Sequence, residues 1–564
     1  MFIFEHAAVL ALLLVVAGAT GTMVMGTRAP LALRAAMGMA VTGQGFVLLG
    51  TFGVLGPRSI GAFAATAIAG CVVLLVRRQG GGDDPAGQRP TLRMVAAAAA
   101  TLPLLLLALY PPIAFDETLY HLPFVQAIAR SGAIRFLPTL RFPAFPQLHE
   151  LLCVPAFLLA GDTATHLVSL AEVVVLAGIL IAWPEERLTG FLAAALVLGN
   201  PIVIQVATVT YVEAALTLFI AAGFYCLDRR QLAAAGFLLG AACSVKYLGW
   251  YFAGAAVGYL LLFGTNRRRT IPLFLGAFGA GVLPMYARIV ALSGNPFFPY
   301  LPRLFGTDAW TVGMPAAIAP ADRIVSALRL FWDITFARER LNWQPPYSPL
   351  FALATVAVLV AARRDHRAAF VGALCVGYIA IFTFLPQDSR YLLSLLPLVS
   401  VAAAIAIAPA LRKQYVVALT LLAVAPGLAY AGYRLARQLP LPVTAAQRQR
   451  YLEEHLPEYR AVEHLGPGRV YVCGAEQLQY FGGGEMLGEV AGPFGNDVIF
   501  DRCHDAEDLA RTLGHLQVKY LLISRAHCPL RWRSLPGGPR FERLYADDGA
   551  ELWRLRDASR TMPP

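Results

Sequence analysis

The sequence predicts a mainly α-helical, polytopic membrane bundle of about 14 spans, with a small α/β domain at its C-terminal end. Three observations predict this. Of the 564 residues, 57% are hydrophobic and only 14% charged, whereas soluble domains carry about 25% charged residues. Apolar runs long enough to cross a ~30 Å hydrocarbon core recur up to residue 432. Beyond that point the texture turns polar, and short strand-like and helix-like segments take over.

The runs fall at 6–25, 35–54, 60–76, 94–114, 164–183, 188–207, 211–227, 231–246, 248–264, 271–292, 347–362, 368–385, 391–410 and 415–432. The first lacks a basic leader and carries Glu5, so it reads as a retained span and not as a cleaved signal. The basic clusters fall in alternate gaps: Arg28 and Arg34; Arg77, Arg78, Arg89 and Arg93; Arg187; Arg229 and Arg230; Arg267 to Arg269; Arg363, Arg364 and Arg367; Arg412 and Lys413. All then lie on one side, which the positive-inside rule makes cytoplasmic. The net charge of +11 is therefore an orientation signal, which excludes a nucleic-acid partner. The expected location is the inner (plasma) membrane of a bacterium, crossed many times. The expected parts are three N-terminal spans in 1–92, a transmembrane module over 93–432 with extracytoplasmic loops 115–150 and 293–346, and an extracytoplasmic α/β domain over 433–564.

In chain order, Thr118 to Ser131 has apolar residues at helical spacing and predicts an amphipathic helix lying at the interface, with Pro123 in its first turn. Residues 148–160 predict a short helix leading into the next span. The runs 231–246 and 248–264 are short and put Lys246 at the outer end of a hairpin. Ile324, Leu328, Phe331, Trp332 and Thr335 predict a second interfacial helix. In the tail, 469–473, 518–523 and 551–555 predict strands and 506–516 a helix. Cys71, Cys153, Cys226, Cys243 and Cys375 read as inert core residues. If the tail is extracytoplasmic, Cys503 with Cys528 is the candidate disulfide.

The chemistry gathers at one stretch. Asp116 and Glu117 follow the fourth run, where a hydrophobic helix leaves the bilayer, and Tyr120 and His121 come next. Carboxylates at a membrane exit are costly to desolvate and suited to act as a base. Adjacent on the chain, the two should point different ways, one acting and the other positioning. Glu213 opens another span. Lys246, followed by Tyr247, and Arg390, followed by Tyr391, are cations on the outer face, against the positive-inside bias. Guanidinium binds phosphate bidentately and ammonium as a point charge. Arg390 could equally pair with Asp388, and Lys246 could reach up to the interface. Acids beside outer-face cations suit attack by an acceptor hydroxyl on a sugar carried by a lipid phosphate, with the cations receiving the departing phosphate. One base with direct displacement implies inversion at the anomeric carbon.

The order of these landmarks resembles the GT-C class of integral-membrane glycosyltransferases, especially protein O-mannosyltransferases and the lipid A aminoarabinose transferase. Phe115-Asp116-Glu117 with Tyr120-His121-Leu122-Pro123 looks like their acidic first-loop motif. Tyr211-Val212-Glu213 resembles a second acidic position at which Asp is commoner. Ser244-Val245-Lys246-Tyr247, Gly294-Asn295-Pro296 and Ser389-Arg390-Tyr391-Leu392 resemble further landmarks. The resemblance implies a polyprenyl-phosphate-linked sugar donor, a glycan, lipid or protein acceptor, Asp116 as general base, and Lys246 and Arg390 on the donor phosphate. Some members use a divalent cation; Asp116, Glu117 and Glu213 are the candidate ligands here. A transporter or lipid flippase, using the same acids for proton coupling and the same cations for an anionic substrate, is the competing expectation. A non-catalytic scaffold for envelope proteins is a third.

Overall fold

The computed structural model describes residues 1–79, 101–307, 318–482, 485–488 and 494–556. Residues 94–100 of the fourth run lie outside these, as do Arg89 and Arg93. Its described part is helical over 101–107 and then unwinds before Pro111 and Pro112, which cannot continue a helix. The expected bundle is present. Among the described residues, seven helices are long and apolar enough to cross a membrane, and shorter apolar helices, 13 residues and upward for most, fill the space between them.

The runs become helices with local corrections. The run 188–207 is broken: Arg187–Leu198 and Pro201–Val206 are separate helices. Asn200 and Pro201 cause the break. The Asn200 amide donates back to the Leu196 and Val197 carbonyls, closing the first helix, while Pro201 opens the second. The short helix Leu148–Ala160 forms as expected.

The three N-terminal helices, Phe2–Met25, Leu31–Thr51 and Pro57–Gln79, share one apolar core with the later spans. Gln44 ties the second of them into the bundle, donating to the Gly281 carbonyl at 2.6 Å and the Ser244 hydroxyl at 3.2 Å. Helices Leu232–Val245 and Arg267–Ser293 approach closely because small residues line the crossing. A Cβ on Gly240 would lie 2.4 Å from the Phe278 carbonyl oxygen. Such small-residue contacts replace the hydrophobic drive that lipid cannot supply, and this one fixes the helix that ends at Lys246.

Both of the amphipathic helices expected from the sequence form. Glu117–His121 forms a single π-helical turn and runs into Leu122–Ser131, with Pro123 in the first turn. Arg323–Phe336 buries Leu330 and Ile334 but leaves Ile324, Leu328 and Trp332 exposed. That outward apolar face suits a helix lying on lipid.

The tail is an α/β domain. Its five strands are β1 (Arg469–Cys473), β2 (Met486–Leu487), β3 (Val518–Ser524), β4 (Phe541–Ala546) and β5 (Ala550–Leu555). The sheet order is β2-β1-β3-β5-β4. β1 pairs parallel with β2 and β3; β5 pairs antiparallel with β3 and β4. The short β2 and the edge strand β4 went unrecognised in the sequence. The expected Cys503–Cys528 bridge is incorrect. Cys473, at the end of β1, bonds Cys528, with 5.2 Å between their Cα atoms, and Cys503 is free and buried. The pairing of β1 beside β3 brings Cys473 against the turn after β3, a proximity that linear spacing does not reveal.

The tail sits on the exit stretch. The Tyr480 amide donates to the Thr118 carbonyl at 3.0 Å. Arg448 pairs with Asp162 at 2.5 Å, and Ile113 packs against one face of the sheet.

Candidate active site

Asp116 and Glu117 do diverge. Glu117 turns into the protein and is fully buried. Its Oε1 accepts from His166 Nε2 and from the Thr210 amide, each at 2.6 Å. His166 is held from behind by the Ala108 carbonyl, 3.1 Å from Nδ1. Burial pushes the Glu117 carboxyl up, but the His166 charge and the two hydrogen bonds outweigh it and hold the group below the usual carboxylate range. Glu117 thus clamps the exit stretch to the helix His166–Ala182 and to the turn ahead of the helix Glu213–Asp228.

Asp116 turns the other way and meets Arg390, with Nη2 to Oδ2 at 2.7 Å. Burial raises its carboxyl, and the Arg390 guanidinium more than reverses that, leaving it below the usual range. The alternative pairing of Arg390 with Asp388 is half right, because Arg390 does both. Asp388 accepts from Nε at 3.1 Å and from Nη2 at 2.8 Å, and also caps its own turn through the Arg390 amide. The guanidinium lies 4.5 Å over the Tyr211 ring. Among the described residues, its Nη1 has no hydrogen-bond partner.

Glu213 pairs with Lys246, Nζ to Oε1 at 2.8 Å, and Lys246 lies 4.4 Å over the Tyr391 ring. Lys246 remains 15% exposed and Asp116 18% exposed, while Glu213 and Arg390 are nearly enclosed. Glu213 also acts electrostatically on Asp116 and Arg390. Residues 116, 213, 246 and 390, more than 270 positions apart at the extremes, therefore form one charged cluster at one end of the bundle.

The aromatic and histidine candidates take supporting places. His121 Nδ1 donates to Glu150 at 2.6 Å. Tyr120 packs on His121 and on Phe142. Tyr247 donates its hydroxyl to the Phe298 carbonyl and packs among Phe145, Tyr286, Phe297 and Tyr300. Its role in this structure is thus to hold the Gly294-Asn295-Pro296 loop against the site. His166, Glu150 and Tyr211 carry weight that the sequence reading did not assign to them. A histidine one turn inside an apolar run was the available signal.

The three acids do not fit a shared cation site. Glu117 faces away towards His166, and Asp116 and Glu213 each hold a cationic side chain. Among the described residues, no group of three His, Cys, Asp or Glu is placed to hold a metal ion.

A family model described as SF2091/S2213 matches residues 447–554, within the tail. No curated protein matches the chain by sequence. Among solved structures, ArnT from Cupriavidus metallidurans in the apo state aligns with a TM-score of 0.55 at 14% identity, over 82% of this chain and 98% of that one. The same protein bound to undecaprenyl phosphate aligns at 0.51 and 13% identity, over the same shares. The oligosaccharyltransferase from Archaeoglobus fulgidus in the apo form aligns at 0.47 and 12% identity, over 78% of this chain and 70% of that one. Over about four fifths of its length, the chain therefore shares the polytopic helical membrane fold of ArnT.

Proposed function

We propose that this protein is an inverting glycosyltransferase. It moves a sugar from a polyprenyl-phosphate donor to the hydroxyl of an envelope glycan, lipid or protein outside the cytoplasm. The observation that carries this reading is the Asp116–Arg390 contact beside Lys246: a carboxylate and two cations share one end of the bundle, and Arg390 keeps Nη1 free. The solved relative ArnT binds undecaprenyl phosphate, which supports the same class of carrier here.

In the absence of donor, Arg390 makes Asp116 a weak base. A donor phosphate engaging Nη1 and Lys246 competes for the guanidinium and loosens its hold on Asp116. The carboxylate then accepts the proton of the acceptor hydroxyl as that oxygen attacks the anomeric carbon from the face opposite the phosphate. The bond from that carbon to the phosphate oxygen breaks, its electron pair stays on the phosphate, and configuration inverts. The proton arrives at Asp116 as phosphate charge grows beside it, so negative charge does not accumulate. Preorganised cations of this kind act where charge develops.

The test is Asp116→Asn in membranes supplied with a polyprenyl-phosphate sugar. Transfer should vanish with protein level unchanged. Mass spectrometry of envelope glycans and lipids with and without the gene would identify sugar and acceptor together. Undiminished transfer by D116N removes Asp116 from the mechanism, and proton-coupled uptake into vesicles points to a transporter instead.

A further inference from the structure

At the end of the bundle opposite Asp116, five helices part around a cleft of about 970 Å3. Its walls come from Glu213–Asp228, Gly249–Phe263, Pro349–Ala361, His366–Phe382 and Leu396–Ile407. The depth is apolar, with Phe224, Phe370, Leu398, Val401 and Ala402 among the lining residues; the mouth carries Arg363, Arg364 and Arg367.

The charges at the mouth are unequally answered. Arg367 pairs with Asp228 at 3.0 Å, and Asp228 also accepts from the Trp183 indole. Asp365 is used as the cap of the helix His366–Phe382, accepting from the amides of Arg367 and Ala368. Among the described residues, the exposed side chains of Arg363 and Arg364 have no ion pair or hydrogen bond. Two adjacent guanidiniums at the rim of an apolar cleft repel each other and favour a shared anion.

The cleft also has a length. Leu398 to Ala410, an α-helix closed by a 3-10 turn, spans about 20 Å of helix axis, while one leaflet of a ~30 Å core is about 15 Å. The lining is thus long enough to run the depth of one leaflet, with the arginines at its mouth. A soluble anion has no use for the apolar depth, and a neutral lipid leaves both guanidiniums unanswered. An amphiphile with an anionic phosphate head and apolar tails satisfies both.

We propose that this cleft binds one anionic phospholipid of that leaflet, its phosphate between Arg363 and Arg364 and its acyl chains against Phe370, Val401 and Ala402. The site is separate from the sugar-transfer reading and stands or falls without it.

The test uses the full-length protein in nanodiscs of equal parts phosphatidylglycerol and phosphatidylcholine, with retained lipid read by native mass spectrometry after release. The wild type should keep phosphatidylglycerol over phosphatidylcholine by about tenfold or more. Arg363→Gln with Arg364→Gln should bring that ratio to about one. Ala402→Trp, which fills the depth, should lower retention of both lipids, and Ala406→Phe serves if the larger wedge does not fold. Elution profile and melting temperature check folding in each case. The proposal is overturned by an equal ratio in the wild type, by a preference that survives the double glutamine variant, or by a folded wedge variant that keeps phosphatidylglycerol as the wild type does. That last result would mean the lipid only adheres to a basic surface.

Discussion

Replacing Arg390 with glutamine tests the site where its parts are most tightly coupled. The guanidinium answers two carboxylates at once, Asp116 at 2.7 Å and Asp388 at 2.8 Å. Lys246 is already committed to Glu213, so it is not free to replace the guanidinium. Glutamine keeps one amide donor group and no charge. Removing one partner of a buried pair costs about 3–5 kcal/mol. The lower end applies here, because Asp388 keeps hydrogen bonds from Asn342, Gln344 and the residue 390 amide. Loss of a charged donor aimed at the leaving group costs a further ~10²–10³ in kcat.

The pH profile of R390Q separates these effects. Burial alone raises the Asp116 carboxyl, and Arg390 reverses that. A base must be ionised, so activity fails as pH falls through its pKa; without Arg390 that acid limb moves to higher pH. The stability linkage has the same origin. With its folded pKa depressed, Asp116 contributes stability above its unfolded value, and this is lost as pH falls through the folded one. R390Q should therefore lose less further stability on acidification than the wild type. The assay is transfer from a synthetic polyprenyl-phosphate sugar by protein in liposomes, measured from acid to neutral pH. Arg390→Lys, which restores charge without the fork, should return the acid limb towards the wild type and recover only part of the rate. If R390Q folds and its acid limb does not move, Asp116 is not the group that accepts the proton.

Other outcomes follow from neighbouring contacts. Lys246→Ala should lower transfer by about 10²-fold through the lost phosphate contact, while Lys246→Arg keeps part of it; equal transfer by K246A and wild type would take Lys246 off the donor. Glu117→Gln and His166→Ala should each destabilise by about 3–5 kcal/mol, and the double variant by much less than the sum, because both remove one buried pair; additive losses in chemical denaturation would contradict the pairing. Cys473→Ser should cost about 2–5 kcal/mol and leave two extra titratable thiols' worth of difference from a Cys503→Ser control, which should behave nearly as wild type.

The apolar helical runs and the two amphipathic helices were legible because lipid imposes length and hydropathy along the chain itself. Asp116, Glu213, Lys246 and Arg390 were legible for a related reason: an ionisable residue among apolar ones is conspicuous wherever it falls. Glu150, joined to the buried His121, was harder to read, since nothing local distinguishes an acid turned inward from one turned to water; Glu172, joined to the buried His149, stands inside the apolar run 164–183 and carried the same conspicuous signal unread.

What the sequence determined alone is therefore the one-dimensional part: which segments are apolar helices, where the basic clusters fall between them, and which residues are too polar for their surroundings. Only the tertiary structure decided the pairings. It placed Arg390 between Asp116 and Asp388, gave Lys246 to Glu213, turned Glu117 to His166, and joined Cys473, not Cys503, to Cys528. The physical reason is that side-chain charge and hydropathy act through the medium around each residue and leave a local signature, whereas a partner is fixed by which helices and strands pack together. That choice depends on small-residue crossings and strand order spread over the whole chain.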